Sequence, residues 1–130
     1  MLKVVKISLA VAALSFGANA FANDVNAALS NICTIVQADD KGELRKKMKK
    51  VQSDYKLKLQ DYYSGVSCSG ESLIRFAFLN GAVESGSLLI KKMPKSQLNA
   101  PEADGKTLRA WVSDKGLMDS PIAKVLNDRI

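Results

Sequence analysis

Histidine is absent from the 130 residues, and cysteine, proline and tryptophan are scarce, at two, three and one. Each shortage excludes something. Without His there is no Ser-His-Asp triad, no imidazole acid-base pair and no His-containing metal site. Two cysteines are too few for a thiolate metal cluster, and a Cys nucleophile would need an activating base beside it. Carboxylates do not fill the gap. Asp39-Asp40 is an adjacent pair in a loop, which does not converge on one bond, and Asp-Asp before Lys-Gly reads as helix-turn chemistry. Gly65, Gly70, Gly81 and Gly86 lack the Lys-Ser/Thr context of a phosphate loop. The expectation is a protein that is not an enzyme, with no catalytic residue, no metal and no cofactor. Long apolar runs are missing too, so no segment reads as a comfortable bilayer span.

What is present begins with the N-terminus, MLKVVKISLAVAALSFGANAFAND. Lys3 and Lys6 form a basic start, Ile7 to Ala13 a short apolar run, and small residues follow. Ala18-Asn-Ala20 and Ala20-Phe-Ala22 both satisfy the small-x-small cleavage rule. This is the layout of a secretory signal peptide, expected over residues 1–22 with the cut after Ala22, or else after Ala20. The mature chain, 23–130, is long enough for one helical domain with a modest core. It is expected to be periplasmic or secreted and to have no transmembrane segment after cleavage. The formal net charge of +6 falls to +4 when Lys3 and Lys6 leave. That is mildly basic, and nucleic acid is not the expected partner.

In an exported chain the two remaining cysteines, Cys33 and Cys68, read first as a disulfide; two buried free thiols are the alternative. A closed loop of that size contributes roughly 3–4 kcal/mol in the chain-entropy model.

Periodicity predicts helices almost throughout. Val25, Leu29, Ile32, Cys33 and Val36 share a helical face over 25–36, and Asp39-Asp40-Lys41-Gly42 breaks it. Leu44, Met48, Val51 and Tyr55 then repeat at helical spacing. Residues 56–68 fit a short helix or turn, although Tyr55, Leu57 and Leu59 also alternate as a strand would. Ser72 is placed to cap a helix carrying Leu73, Ile74, Phe76, Ala77 and Phe78, which Asn80-Gly81 stops. A second helix follows with Val83, Leu88, Leu89 and Ile90, ending in Lys91-Lys92 before Pro94. Residues 94–104 read as a loop.

Residues 69–92 resemble one ankyrin repeat, through Gly70, Ser72, Ile74, Ala77, Gly81 and Leu88-Leu89-Ile90; Leu73 and Arg75 stand where that family has Pro and His. A second copy follows at a constant offset of 35 residues, pairing Gly70 with Gly105, Ser72 with Thr107, Phe76 with Trp111, Gly81 with Gly116 and Ser120 with Ser85. Arg109 falls in a column usually apolar, as a terminal repeat with a polar outer face allows. Trp111, as the counterpart of Phe76, is expected in the core. The fold expected is all-α: stacked helix-turn-helix units, a short ankyrin-like α-solenoid with one disulfide, in units of about 24–55, 69–93 and 104–127. The chain also resembles a small exported domain of bacterial proteins of unknown function. Cys33, Cys68-Ser-Gly70-Glu-Ser-Leu73, Phe76-Ala77 and Asn80-Gly81-Ala82 match its layout over roughly residues 30–92. That resemblance implies a fold unit and a compartment and brings no catalytic residues.

The remaining feature is a basic run. Arg45, Lys46, Lys47, Lys49 and Lys50 lie within six residues, extended by Lys56 and Lys58. On a helix whose Leu44, Met48 and Val51 point inward, these form a candidate anion-binding face, or a solvated one. The functional expectation is an exported binding or scaffolding module of unknown specificity, whose partner is an envelope protein. The alternative is a binder of an anionic envelope surface, lipid headgroup or lipopolysaccharide, through residues 45–50.

Overall fold

The computed structural model describes residues 25–130. The expected leader, 1–22, lies outside the described residues. The chain divides into two compact units between Ser30 and Asn31. Of the first, residues 25–28 are helical, closed by a bond from the Leu29 N–H to the Val25 carbonyl at 3.0 Å. The helix expected over 25–36 is therefore interrupted. Asn31 sits at φ −98°, ψ 4°, a turn conformation, and Ser30-Asn31 is a pair whose short polar side chains compete with helix bonding.

The second unit is all helix and loop, with one isolated bridge and no strand among the described residues. α1 (Ile32–Gln37) and α2 (Lys41–Tyr55) form the first pair. Asp40 caps α2, accepting the Glu43 N–H at 3.1 Å, and Lys56 ends it in a left-handed conformation. The doubtful stretch resolves into α3 (Leu59–Tyr62) and a 3-10 turn, Tyr63–Gly65. Cys68 and Glu71 then bridge around Ser69-Gly70, both at positive φ, the requirement of a tight hairpin turn. This turn presents Cys68 to Cys33, and the two form the disulfide. α4 (Leu73–Asn80) and α5 (Val83–Lys92) form the second pair around Gly81. A single-turn helix, α6 (Lys95–Leu98), occupies part of the expected loop, with Pro94 extended at its N-cap. α7 (Leu108–Asp114) and α8 (Pro121–Arg129) form the third pair.

The pairs stack. α1 lies on α4, α2 on α5, and α5 on α8. α4 is buried from Leu73 through Phe78, which makes it the central element and explains why it is apolar there except at Arg75. α5 approaches α8 so closely at Gly86 that a Cβ there would sit 3.0 Å from the Ile122 Cδ1, a contact that requires the isoleucine to give way. Trp111 is buried, edge-on to Phe78 with ring centroids 6.1 Å apart. The 35-residue offset extends to backbone conformation. Gly70 and Gly105 have φ of 83° and 81°, and Gly81 and Gly116 have 62° and 70°. Asp39 ties the first pair to the second. Its carboxylate accepts the Ser85 N–H at 2.7 Å and the Glu84 N–H at 3.3 Å, capping α5 from outside the helix.

Candidate functional site

α2 is the scaffold of the basic face. With Leu44, Met48 and Val51 buried, helical spacing sends its five cations in three directions. Lys46 and Lys50 lie on the outer side, where each meets a carboxylate of the same helix, Glu43 at 3.4 Å and Asp54 at 3.1 Å. Lys47 lies half-buried on one flank. Arg45 and Lys49 lie on the other, one turn apart and in line with Gln52. The expected face is thus divided by its own helix geometry, and two of its cations are already paired.

The flank with Arg45 and Lys49 opens on a groove of about 430 Å³. Two further cations reach it from elsewhere. Lys58 follows the left-handed turn that ends α2, and Lys92 is the last residue of α5, brought alongside because α5 packs on α2. Met48 and Leu59, both buried, supply apolar walls, and Gln52 supplies an amide. No carboxylate lines the groove. Among the described residues, none of Arg45, Lys49, Lys58 and Lys92 has an ion-pair partner. Lys56 does not join them; its ammonium donates to the Ser53 carbonyl at 3.3 Å.

A larger cleft, about 750 Å³, lies on another side and contains Tyr63, Arg75, Glu102 and Trp111. Arg75 is buried at 5% exposure in the middle of α4. Its guanidinium donates to both Asp104 oxygens at 2.7 and 2.9 Å and to the Lys106 carbonyl at 3.1 Å. The Nε lies 2.9 Å from a Glu102 oxygen, as an ion pair without hydrogen-bond alignment. The plane rests 5.2 Å from the Trp111 ring centroid. Glu102 in turn accepts from the Tyr63 hydroxyl and the Ser72 hydroxyl, each at 2.8 Å. Ser72 does not cap α4 with its side chain as expected; its hydroxyl is turned instead toward Glu102 and Tyr63.

Charge follows geometry here. The Arg75 guanidinium, with the Lys106 N–H, holds the Asp104 carboxyl well below the usual carboxylate range. Asp104 raises Arg75 in return. Burial, then the Glu102 charge, pushes the Tyr63 phenol above its ordinary value; burial, then Asp61, raises Tyr62 to about 12. The terminal guanidinium nitrogens of Arg75, the Asp104 and Glu102 carboxylates and the Tyr63 and Ser72 hydroxyls are all engaged with one another. The cleft is a clamp that fastens the 99–107 segment across α4.

Of the five cations expected on one face, Arg45, Lys46, Lys49 and Lys50 are exposed and Lys47 half-buried, and only Arg45 and Lys49 line the groove, with Lys92, distant in sequence, beside them. Sequence reasoning missed that place of Lys92 and the Arg75 clamp. The available signal was an arginine inside the apolar run LIRFAFL, with two acids in PEAD some 27 residues later. Cys33 and Cys68 are joined. Among the described residues no cluster of three or more Cys, Asp or Glu could hold a metal ion, and no helix is long and apolar enough to cross a membrane.

A family model described as "Protein of unknown function (DUF3718)" matches residues 32–100, more than half of the chain, and the chain belongs to that family. The matched span includes both cysteines and every residue of the basic groove; Glu102, Asp104 and the α7–α8 pair lie beyond it. No curated protein and no solved structure matches the chain.

Proposed function

We propose that the chain is an exported, non-enzymatic binding module that engages an anionic envelope surface through the basic face of α2. One observation carries this reading: four cations from three parts of the chain surround one groove that no carboxylate lines. Cations gathered for solubility alone would be better interspersed with acids, as Lys46 and Lys50 are. The expected leader and the disulfide support a periplasmic or secreted location, where thiols oxidise and where phosphate-bearing headgroups and lipopolysaccharide lie exposed. The shortage of catalytic residue types supports a role without chemistry.

A module that scaffolds an envelope protein is the second reading. Its support is the stack of helical pairs, which we read as ankyrin-like in the α4–α5 and α7–α8 pairs because the 35-residue offset holds in the backbone turns. The larger cleft adds little to it, since the groups of its Arg75 network are already engaged with one another.

Vesicle flotation tests the choice. Mature protein should float with phosphatidylglycerol-containing vesicles and not with phosphatidylcholine alone, and moderate salt should abolish the binding. Equal behaviour with both vesicles at low salt would overturn the anionic-surface reading. Intact mass of the envelope protein tests export, and a species still beginning at Met1 would contradict it.

A further inference from the structure

We infer that the groove between α2, Lys58 and the end of α5 is a discrete phosphate site, and that the ligand it takes is a phosphate-bearing headgroup rather than diffuse negative charge. The inference rests on the anionic-surface reading and adds a location and a chemistry to it.

Convergence is the first observation. Arg45 and Lys49 come from one flank of α2, Lys58 from the segment after it, and Lys92 from the C-terminus of a different helix. Four cations without a carboxylate among them repel one another, and that repulsion is relieved when anions bind among them, either one doubly charged phosphomonoester or neighbouring singly charged phosphodiester headgroups. The donor set is the second. Arg offers a planar fork that meets two oxygens of one phosphate, while the three lysines are mobile point charges able to reach the others. Gln52 adds an amide for a hydroxyl or ester oxygen. Size is the third. About 430 Å³ is within the range of small-molecule sites, enough for a phosphate together with the group that carries it. The walls fit the same ligand, because Met48 and Leu59 offer apolar contact to a glycerol or sugar backbone beside the cationic rim.

The groove also explains a division within α2. Lys46 and Lys50 are held by Glu43 and Asp54, whereas Arg45 and Lys49, on the same helix, have no ion-pair partner among the described residues. A surface whose only task was diffuse attraction would have no reason to differ between the two sides.

Two triple variants of equal charge separate site from surface. One is Arg45→Gln, Lys49→Gln, Lys92→Gln; the other is Lys46→Gln, Lys47→Gln, Lys50→Gln. Diffuse attraction is worth about fivefold per cation near an anionic membrane, so it would weaken both variants by the same factor, about 100-fold. A site predicts unequal losses in flotation with phosphatidylglycerol vesicles: about 100-fold or more for the first variant and less than about tenfold for the second. Equal losses would overturn the site and leave the anionic-surface reading standing. A wild-type protein that ignores the vesicles would overturn both. Inorganic pyrophosphate, titrated by NMR against wild type, distinguishes the phosphate source. Saturable shifts at Arg45, Lys49 and Lys92 support recognition of free phosphate compounds, while binding seen with vesicles and not with pyrophosphate supports a lipid headgroup. Citrate releasing the protein from vesicles as well as pyrophosphate does would overturn the phosphate chemistry. Unchanged thermal unfolding of both variants shows that the differences arise at the surface.

Discussion

Substituting Ala for Gly86 tests the stacking of the helical pairs at its tightest point. In an isolated helix this change stabilises by about 1 kcal/mol, because Gly loses more backbone freedom on folding. Here the added Cβ meets three carbons, Ile122 Cδ1 at 3.0 Å and Ile122 Cγ2 and Ala77 Cβ at 3.2 Å. Carbon pairs are comfortable near 3.5–4.0 Å, so all three contacts are repulsive. Ile122 can swing its Cδ1 aside. Its Cγ2 is stiff, and the Ala77 methyl is fixed to the α4 backbone. Overpacking of this kind costs about 1–3 kcal/mol, which cancels or exceeds the propensity gain. Gly86→Ala should therefore destabilise by up to about 2 kcal/mol. Ile122→Val, which removes the Cδ1, should cost about 0.5–1.5 kcal/mol alone and less in the Gly86→Ala background. Urea unfolding of the four proteins, disulfide intact, gives the coupling, expected at 0.5 kcal/mol or more. Stabilisation by the full propensity gain, with additive effects, would refute the close approach of α5 to α8.

Three further perturbations read other links of the structure. Removing the bridge by Cys33→Ala and Cys68→Ala should cost about 3–4 kcal/mol for a separation of 35 residues, measured by denaturant unfolding; a loss below 1 kcal/mol would show that the reduced chain is already constrained. Asp39→Ala should cost about 1–2 kcal/mol for the lost cap on α5 and more for its left-handed backbone, φ 55°. Asp39→Gly loses the cap without the backbone strain, so equal losses for the two would contradict that conformation. The Asp104 carboxyl is depressed in the folded state, so its contribution is full above the ordinary value of 3.8 and drains away as pH falls toward the folded value. Asp104→Asn should flatten the acid limb of stability against pH, and an unchanged limb would refute the clamp.

Helix positions were legible where apolar spacing was strong. Leu44, Met48 and Val51, and Leu73, Ile74, Ala77 and Phe78, are buried as their helical spacing requires. The equivalence of Gly70 with Gly105 and Gly81 with Gly116 was legible because left-handed turns leave glycine as their mark. What escaped depends on partners distant in sequence. Ser72 had the form of a cap, but Glu102 reaches its hydroxyl from 30 residues away. Arg75 read as a departure from a motif, when it is the post to which Asp104 and Glu102 fasten. The basic run was visible as composition, while its division into paired and unpaired cations follows from acids on α2 and from the packing of α5 beside it. Lys92 appeared only as a residue favouring the helix dipole.

Amide chemical shifts of the mature protein, followed as phosphatidylglycerol-containing bicelles are added, test the central claim most directly. The account predicts perturbations gathered at Arg45, Lys49, Gln52, Lys58 and Lys92, and quiet signals at Arg75 and Trp111. Perturbations gathered around Arg75 and Trp111, or spread evenly over the Lys46 and Lys50 side of α2, would contradict it.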